Sequence, residues 1–331
     1  MRNFRRALAL AALAGGALAA CGGGDEGAVA AAAQVVALPG AAAEIDFDDI
    51  AYSNRLRRML VPARESGLYL VEPNSGKATR LSRGGSVDSA DEGRGLVFAL
   101  DRGEQTITVV DPAKGSRRSS ASTSAPPDYL RYVAATDELW ITEPAASPPG
   151  VEIFALAHGS AATPRPARFI AVPGGPEGLT VSSARRAAFT HAGSDLVVID
   201  VERHAVAARW PTGCDGTHGF PRIDERGGFI LAGCADDGAV SLLALEDGSQ
   251  LGRYDAGGGE ALPAYSKRAG HFYARGDPGT KIVTLHASRS GLKRVREVDV
   301  PSVGHCLTAD SLGHYWTCDA DHGRLLRFDD R

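Results

Sequence analysis

A chain of 331 residues with a formal net charge of −4 and 23% charged residues has no basic stripe, which excludes nucleic acid as a partner. Aromatic residues make up only 6% while glycine occurs 40 times, a balance that suits an architecture of many tight turns. The sequence contains no G-x-S-x-G elbow, no H-E-x-x-H and no phosphate-binding loop, so the common signatures of hydrolase, zinc protease and nucleotide chemistry are missing.

The first element is an export signal. Arg2, Arg5 and Arg6 precede an apolar run from Ala7 to Ala20 that ends in small residues. That run is too short to span a bilayer, so residues 1–20 read as a signal peptide. The following Leu18-Ala19-Ala20-Cys21 resembles the lipobox of bacterial lipoproteins. The resemblance implies that Cys21 is lipidated and becomes the mature N-terminus, with the membrane as a partner through its acyl chains. Gly22 stands where an inner-membrane retention signal would carry Asp. The resemblance therefore implies the outer membrane of a bacterial envelope, facing the periplasm. Loss of the three signal arginines takes the formal charge to −7. Residues 21–43 are small and nearly uncharged and form a tether. Within it, only residues 34–38, containing Val35-Val36-Ala37-Leu38, are capable of pairing as a strand. No later apolar run approaches the length of a membrane span.

Residues 44–331 form one repeat domain. An apolar, β-rich run ending near an acidic residue recurs seven times, beginning at Leu68, Ile107, Val151, Leu196, Ser241, Ile282 and Leu325. The spacings of 39, 44, 45, 45, 41 and 43 residues match the period of four-stranded propeller blades. A partner strand precedes each copy, as in Leu96-Val-Phe-Ala-Leu100 and Phe229-Ile-Leu-Ala232, across hairpin turns such as Ala235-Asp-Asp-Gly238. The pattern predicts an all-β, seven-bladed β-propeller with four-stranded blades. A two-sheet sandwich has no need of so regular a period. The last copy ends at the C-terminus, so its outer strand must come from elsewhere, and Gln34 to Leu38 is the candidate that closes the ring. Arg117 to Pro127, rich in Ser and ending in two prolines, reads as a solvated loop. The runs followed by Asp-Pro or Glu-Pro and a Gly-Lys turn, as in Val109-Val-Asp-Pro-Ala-Lys-Gly115, resemble the YVTN-type propellers of bacterial envelopes. That resemblance implies the fold and leaves function open.

Beyond Cys21 four cysteines remain, an even count that suits disulfides in an oxidising compartment. Cys214 precedes an inner strand and Cys234 ends the second strand of the same blade; Cys306 and Cys318 occupy matching places in the last blade. The pairs Cys214–Cys234 and Cys306–Cys318 follow, each within one blade. Reduced thiols acting as metal ligands are the alternative.

Inner strands begin at one mouth of the central channel, and aligning the blades there collects polar residues. Glu177 comes from the fourth blade, His218 from the fifth, Glu260 from the sixth and His305 from the seventh, with Tyr129 and Arg131 from the third and His191 at the end of a second strand. Imidazoles and carboxylates converging from neighbouring blades form the ligand set zinc prefers; the plainer reading is the polar lining of a wet channel. Cys214-Asp-Gly-Thr-His218-Gly219 with Cys234-Ala-Asp-Asp-Gly238, and Gly304-His305 with Thr308-Ala-Asp310, resemble the AztD-type periplasmic zinc metallochaperones. The resemblance implies zinc held by His218 and His305, and a periplasmic metal-binding or transporter protein as recipient. Where that family carries a His pair this chain has Pro176-Glu177-Gly178, which makes Glu177 the third candidate, ahead of His191 and Glu260. The leading expectation is a non-enzymatic lipoprotein that binds a ligand or partner at the channel face. The alternatives are an interaction scaffold without metal and a lactonase-like hydrolase using His218, Glu177 and Arg131. A large apolar surface patch would favour the scaffold, and a ring of acidic and His side chains within ligand distance would favour metal.

Overall fold

The computed structural model describes residues 33–82 and 85–330. The signal peptide, Cys21 and the tether up to residue 32 lie outside the described residues. Seven antiparallel sheets of four strands each succeed one another along the chain. Each of the first six blades uses four consecutive strands, from Ala51–Ser53 in the first to Gly291–Asp299 in the sixth. The seventh blade is composite. Leu307–Ala309, His314–Asp319 and Arg324–Asp329 supply its inner three strands, and Gln34–Ala37 is hydrogen-bonded outside them. Gln34 stands opposite Arg327 and Ala37 opposite Arg324. The expected ring closure is therefore formed, and the final strand has no free edge.

The recurrent apolar runs are the third strands of the blades, exemplified by Thr106–Asp111 and Asp195–Asp200. They and the second strands are buried on both faces, because each blade is covered by the next. Val133, Trp140, Ile153, Leu179, Ala188 and Val197 form one such cluster between the third and fourth blades. Burying each of these larger side chains contributes about 1.5–3 kcal/mol. Outer strands are different: Ala205–Pro211 and Gln250–Asp255 contain no buried residue. Ser116–Ser122, expected as a loop, is also an outer strand. None of its residues is buried, so it needs no apolar alternation. The described residues include only two short 3-10 turns, at Arg64–Ser66 and Ala320–His322, and no helix among them is long and apolar enough to cross a membrane.

Candidate metal centre

The site lies where the inner strands begin. Glu177 and Glu260 are the first residues of Glu177–Ser182 and Glu260–Ser266, His218 is the second of Thr217–Asp224, and His305 lies two residues before the last blade's inner strand, Leu307–Ala309. The sequence sets the local geometry through glycine. Glu177 is followed by Gly178 at φ +67° and His218 by Gly219 at φ +68°. Both strands break register just there. Such bulges re-aim the flanking side chains, and here they turn them to the channel mouth. At Gly178 a Cβ would lie 2.2 Å from the Gly219 carbonyl oxygen, so these two blades approach too closely for any other residue.

Three side chains from three blades meet. His218 Nε2 lies 3.0 Å from His305 Nε2 and 3.3 Å from Glu260 Oε2. One ligand atom from each of the three can be chosen so that all lie within 4.8 Å of one another. Zinc–ligand bonds of about 2.0–2.1 Å place neighbouring donors on a tetrahedral ion roughly 3.3 Å apart, so the two shortest separations fit one ion. Two imidazole nitrogens at 3.0 Å cannot both present lone pairs; a proton or another cation must lie between them.

The two imidazoles differ. His305 Nδ1 is 2.7 Å from Asp277 Oδ2, and this carboxylate turns Nε2 toward the cluster, as outer-shell carboxylates do for metal-bound histidines. Burial pulls the His305 pKa down, but Asp277, Asp48 and Glu260 outweigh it and the net shift is upward. At His218 burial dominates, the attraction of Glu260 is partly cancelled by His305, and the net shift is downward. His305 is thus the natural donor and His218 the acceptor when no metal is bound.

Glu177 sits on the other side of His218, its Oε1 3.9 Å from Nδ1. Burial, then the charge of Asp128 and a hydrogen bond with it, push its carboxyl up to about 9, so near neutral pH it holds a proton. Glu260, ranked below Glu177 from sequence, occupies the third position of the cluster. His191 is fully buried and its Nδ1 meets the Gly219 carbonyl oxygen at 2.8 Å. Burial presses its pKa down to about 3. It faces Glu177 across the strand pair and stands behind the cluster. Arg131 grips Asp49 with both terminal nitrogens at 2.7 and 2.8 Å, and Tyr129 donates to Asp48 Oδ1 at 2.8 Å. These two side chains pin the segment before the first blade across the channel.

Asp277 and Asp48 were missed. Asp277 stands opposite Glu260, the same place His191 holds opposite Glu177, so the rule that selected His191 would have found it. Asp48 belongs to no blade, and no repeat pattern points to it. The close cysteine pairs frame the site. Cys214 is joined to Cys234 and Cys306 to Cys318, with Cα separations of 5.3 and 5.8 Å. Each ties the inner strand of a histidine-bearing blade to its second strand.

No protein-family model matches the chain, and no curated protein matches it. Among solved structures it is similar to the WD40 repeats of RRP9, with a TM-score of 0.75 and 12% identity over 91% of this chain and 99% of that one. It is also similar to a chain of the mitotic checkpoint complex, with a TM-score of 0.74 and 12% identity over 89% of this chain and 93% of that one. At such identities the likeness speaks for the fold alone: the chain is a seven-bladed β-propeller, an architecture suited to holding a ligand or a protein partner.

Proposed function

We propose that this protein binds a divalent transition metal, zinc foremost, at the channel mouth through His218, His305 and Glu260. The reading rests on three donors from three blades within reach of one ion. Asp277 is the outer-shell partner of His305, and Glu177 is a protonated neighbour that a metal could draw in. Glu260 keeps 45% of its side chain exposed. A half-open site suits a metal that is handed on better than one that is buried as a structural staple. Exposed large apolar residues among the described residues are Val35, Phe169, Val206, Val295 and Val303. Val35, Phe169, Val206 and Val295 lie on the outer strands of the seventh, third, fourth and sixth blades, and Val303 lies just before the last inner strand. In this proposal the lipidated Cys21 holds the propeller to a bacterial outer membrane, and the tether lets the mouth reach a periplasmic metal-binding or transporter protein.

The test is zinc affinity and stoichiometry of protein beginning at residue 22, beside a His218→Ala/His305→Ala double variant and Asp277→Asn. One zinc per chain is expected in the parent and none in the double variant. Asp277→Asn should weaken binding by about 10–100-fold. A folded parent that takes up no zinc would overturn the assignment.

A further inference from the structure

The opposite end of the channel carries the opposite charge. An open cavity of about 510 Å³ lies there, lined by the turns that follow the inner strands, including Asn54, Arg94 and Ser183, and by Arg131 and Arg222 from the channel wall. Arg222 lies four residues beyond His218 on the same strand, so one strand carries a metal-ligand candidate toward one mouth and a guanidinium toward the other.

Arg222 is unusual in its partners. Its Nε donates to the Pro263 carbonyl at 2.9 Å and its Nη2 to the Leu307 carbonyl at 3.4 Å. Its guanidinium also stands 5.0 Å from the centre of the Phe220 ring, which Arg131 approaches at 4.3 Å. Among the described residues no carboxylate forms an ion pair with Arg222. Arg131, by contrast, is neutralised by Asp49. The cavity's own carboxylates are engaged. Asp91 accepts the backbone N–H groups of Tyr132 and Glu92, each at 2.8 Å. Glu92 accepts from Ser53 Oγ at 3.1 Å and the Gly95 N–H at 2.9 Å, with Arg55 at 3.7 Å. The lining carries four guanidinium groups, Arg55, Arg94, Arg131 and Arg222, against the carboxylates of Asp91 and Glu92, and of the four only Arg222 has no carboxylate within ion-pair distance among the described residues.

Burial and the repulsion of Arg131 outweigh the attraction of Asp49 and bring the Arg222 pKa down to about 10, which still leaves it protonated at neutral pH. A cation held out of bulk water without a counter-ion is costly, and its fixed fork of donors matches an oxyanion. The cavity falls within the range of small-molecule sites.

We propose that this cavity binds a small molecule bearing a carboxylate or phosphate group, with Arg222 as its anion contact. Arg222 also borders a small space shared with Asp48 and His305, but the proposal stands on the cavity at the other mouth and does not rest on metal binding. The test uses the two oxyanion chemistries as probes: inorganic phosphate and succinate are titrated into metal-free protein at constant ionic strength, by calorimetry and thermal melting. Saturable binding of at least one probe is expected. Arg222→Met should weaken it at least tenfold, Arg222→Lys less, and His218→Ala/His305→Ala should leave it unchanged. Circular dichroism verifies the fold of each variant, and Arg222→Lys serves if Arg222→Met does not fold. Preference for phosphate or for succinate identifies the class of ligand. Equal binding by the parent and the folded arginine variants would overturn the proposal, as would melting shifts no larger than those from matched sodium chloride.

Discussion

Glu143 is fully buried in the third blade and its carboxyl shares a hydrogen bond with that of Glu152. Ser124 supplies its backbone N–H to Glu152 at 2.9 Å, and Ala125 supplies its own to Glu143 at 3.3 Å. Burial, then the neighbouring carboxyl, push Glu143 up to about 8 from an ordinary value of 4.5. The folded state therefore holds a proton that the unfolded chain releases at lower pH. The stability this gives is fully present below about pH 4.5 and is lost as pH rises through about 8. Melting temperatures between pH 5 and pH 9 should show that loss, and Glu143→Gln, which keeps a donor without the charge, should flatten it. An unchanged slope in Glu143→Gln would refute the shared-proton account. At this scale His218 and His305 were legible because each stands at the start of an inner strand beside a glycine or cysteine marker. The Glu143–Glu152 pair was not legible: the two residues lie on adjacent strands, and only the register brings their carboxyls together.

The strand Gln34–Ala37 belongs in sequence to the tether and in space to the last blade. Val36 is buried against Met59, Trp316 and Leu325, and all four residues pair with Arg324–Arg327. Burial of one valine and a few net backbone hydrogen bonds together contribute about 3 kcal/mol. Protein beginning at residue 38 should be less stable by about that amount than protein beginning at residue 33, should melt at a lower temperature, and should scatter light on heating because the last blade then offers an open edge. Equal melting of the two proteins would show that closure contributes nothing. This strand was legible because the count of strands came out one short at the C-terminus. Ser116–Ser122 was not, since an outer strand pairs on one edge only and its sequence is chosen mainly by solvent.

Across the whole molecule the channel presents acidic and imidazole groups at one mouth and an uncompensated guanidinium at the other. A ligand that binds only the folded state stabilises it by about 2.7 kcal/mol at a hundredfold excess over its Kd. Ligands at sites that do not couple add their contributions. Zinc and phosphate together should therefore raise the melting temperature by the sum of their separate shifts. His218→Ala/His305→Ala should cancel the zinc contribution alone and Arg222→Met the phosphate contribution alone. A phosphate shift that vanishes once zinc is bound would mean the two mouths are not independent.

The sequence by itself determined the number of blades, the strand order within them, the need for a closing strand and the two cysteine pairings. Each of these follows from a period or a count, and a blade's hydrophobic pattern repeats because every blade buries the same faces. Only the tertiary structure decided which polar residues touch. It brought Glu260 together with His218 and His305 and left Glu177 on the other side of His218, set Asp277 behind His305, drew Asp48 and Asp49 across the channel and left Arg222 without an ion-paired carboxylate among the described residues. Those outcomes depend on bulges at Gly178 and Gly219 and on how seven blades converge on one axis. Shifts of that size separate a ligand from a neighbour, and no linear spacing records them.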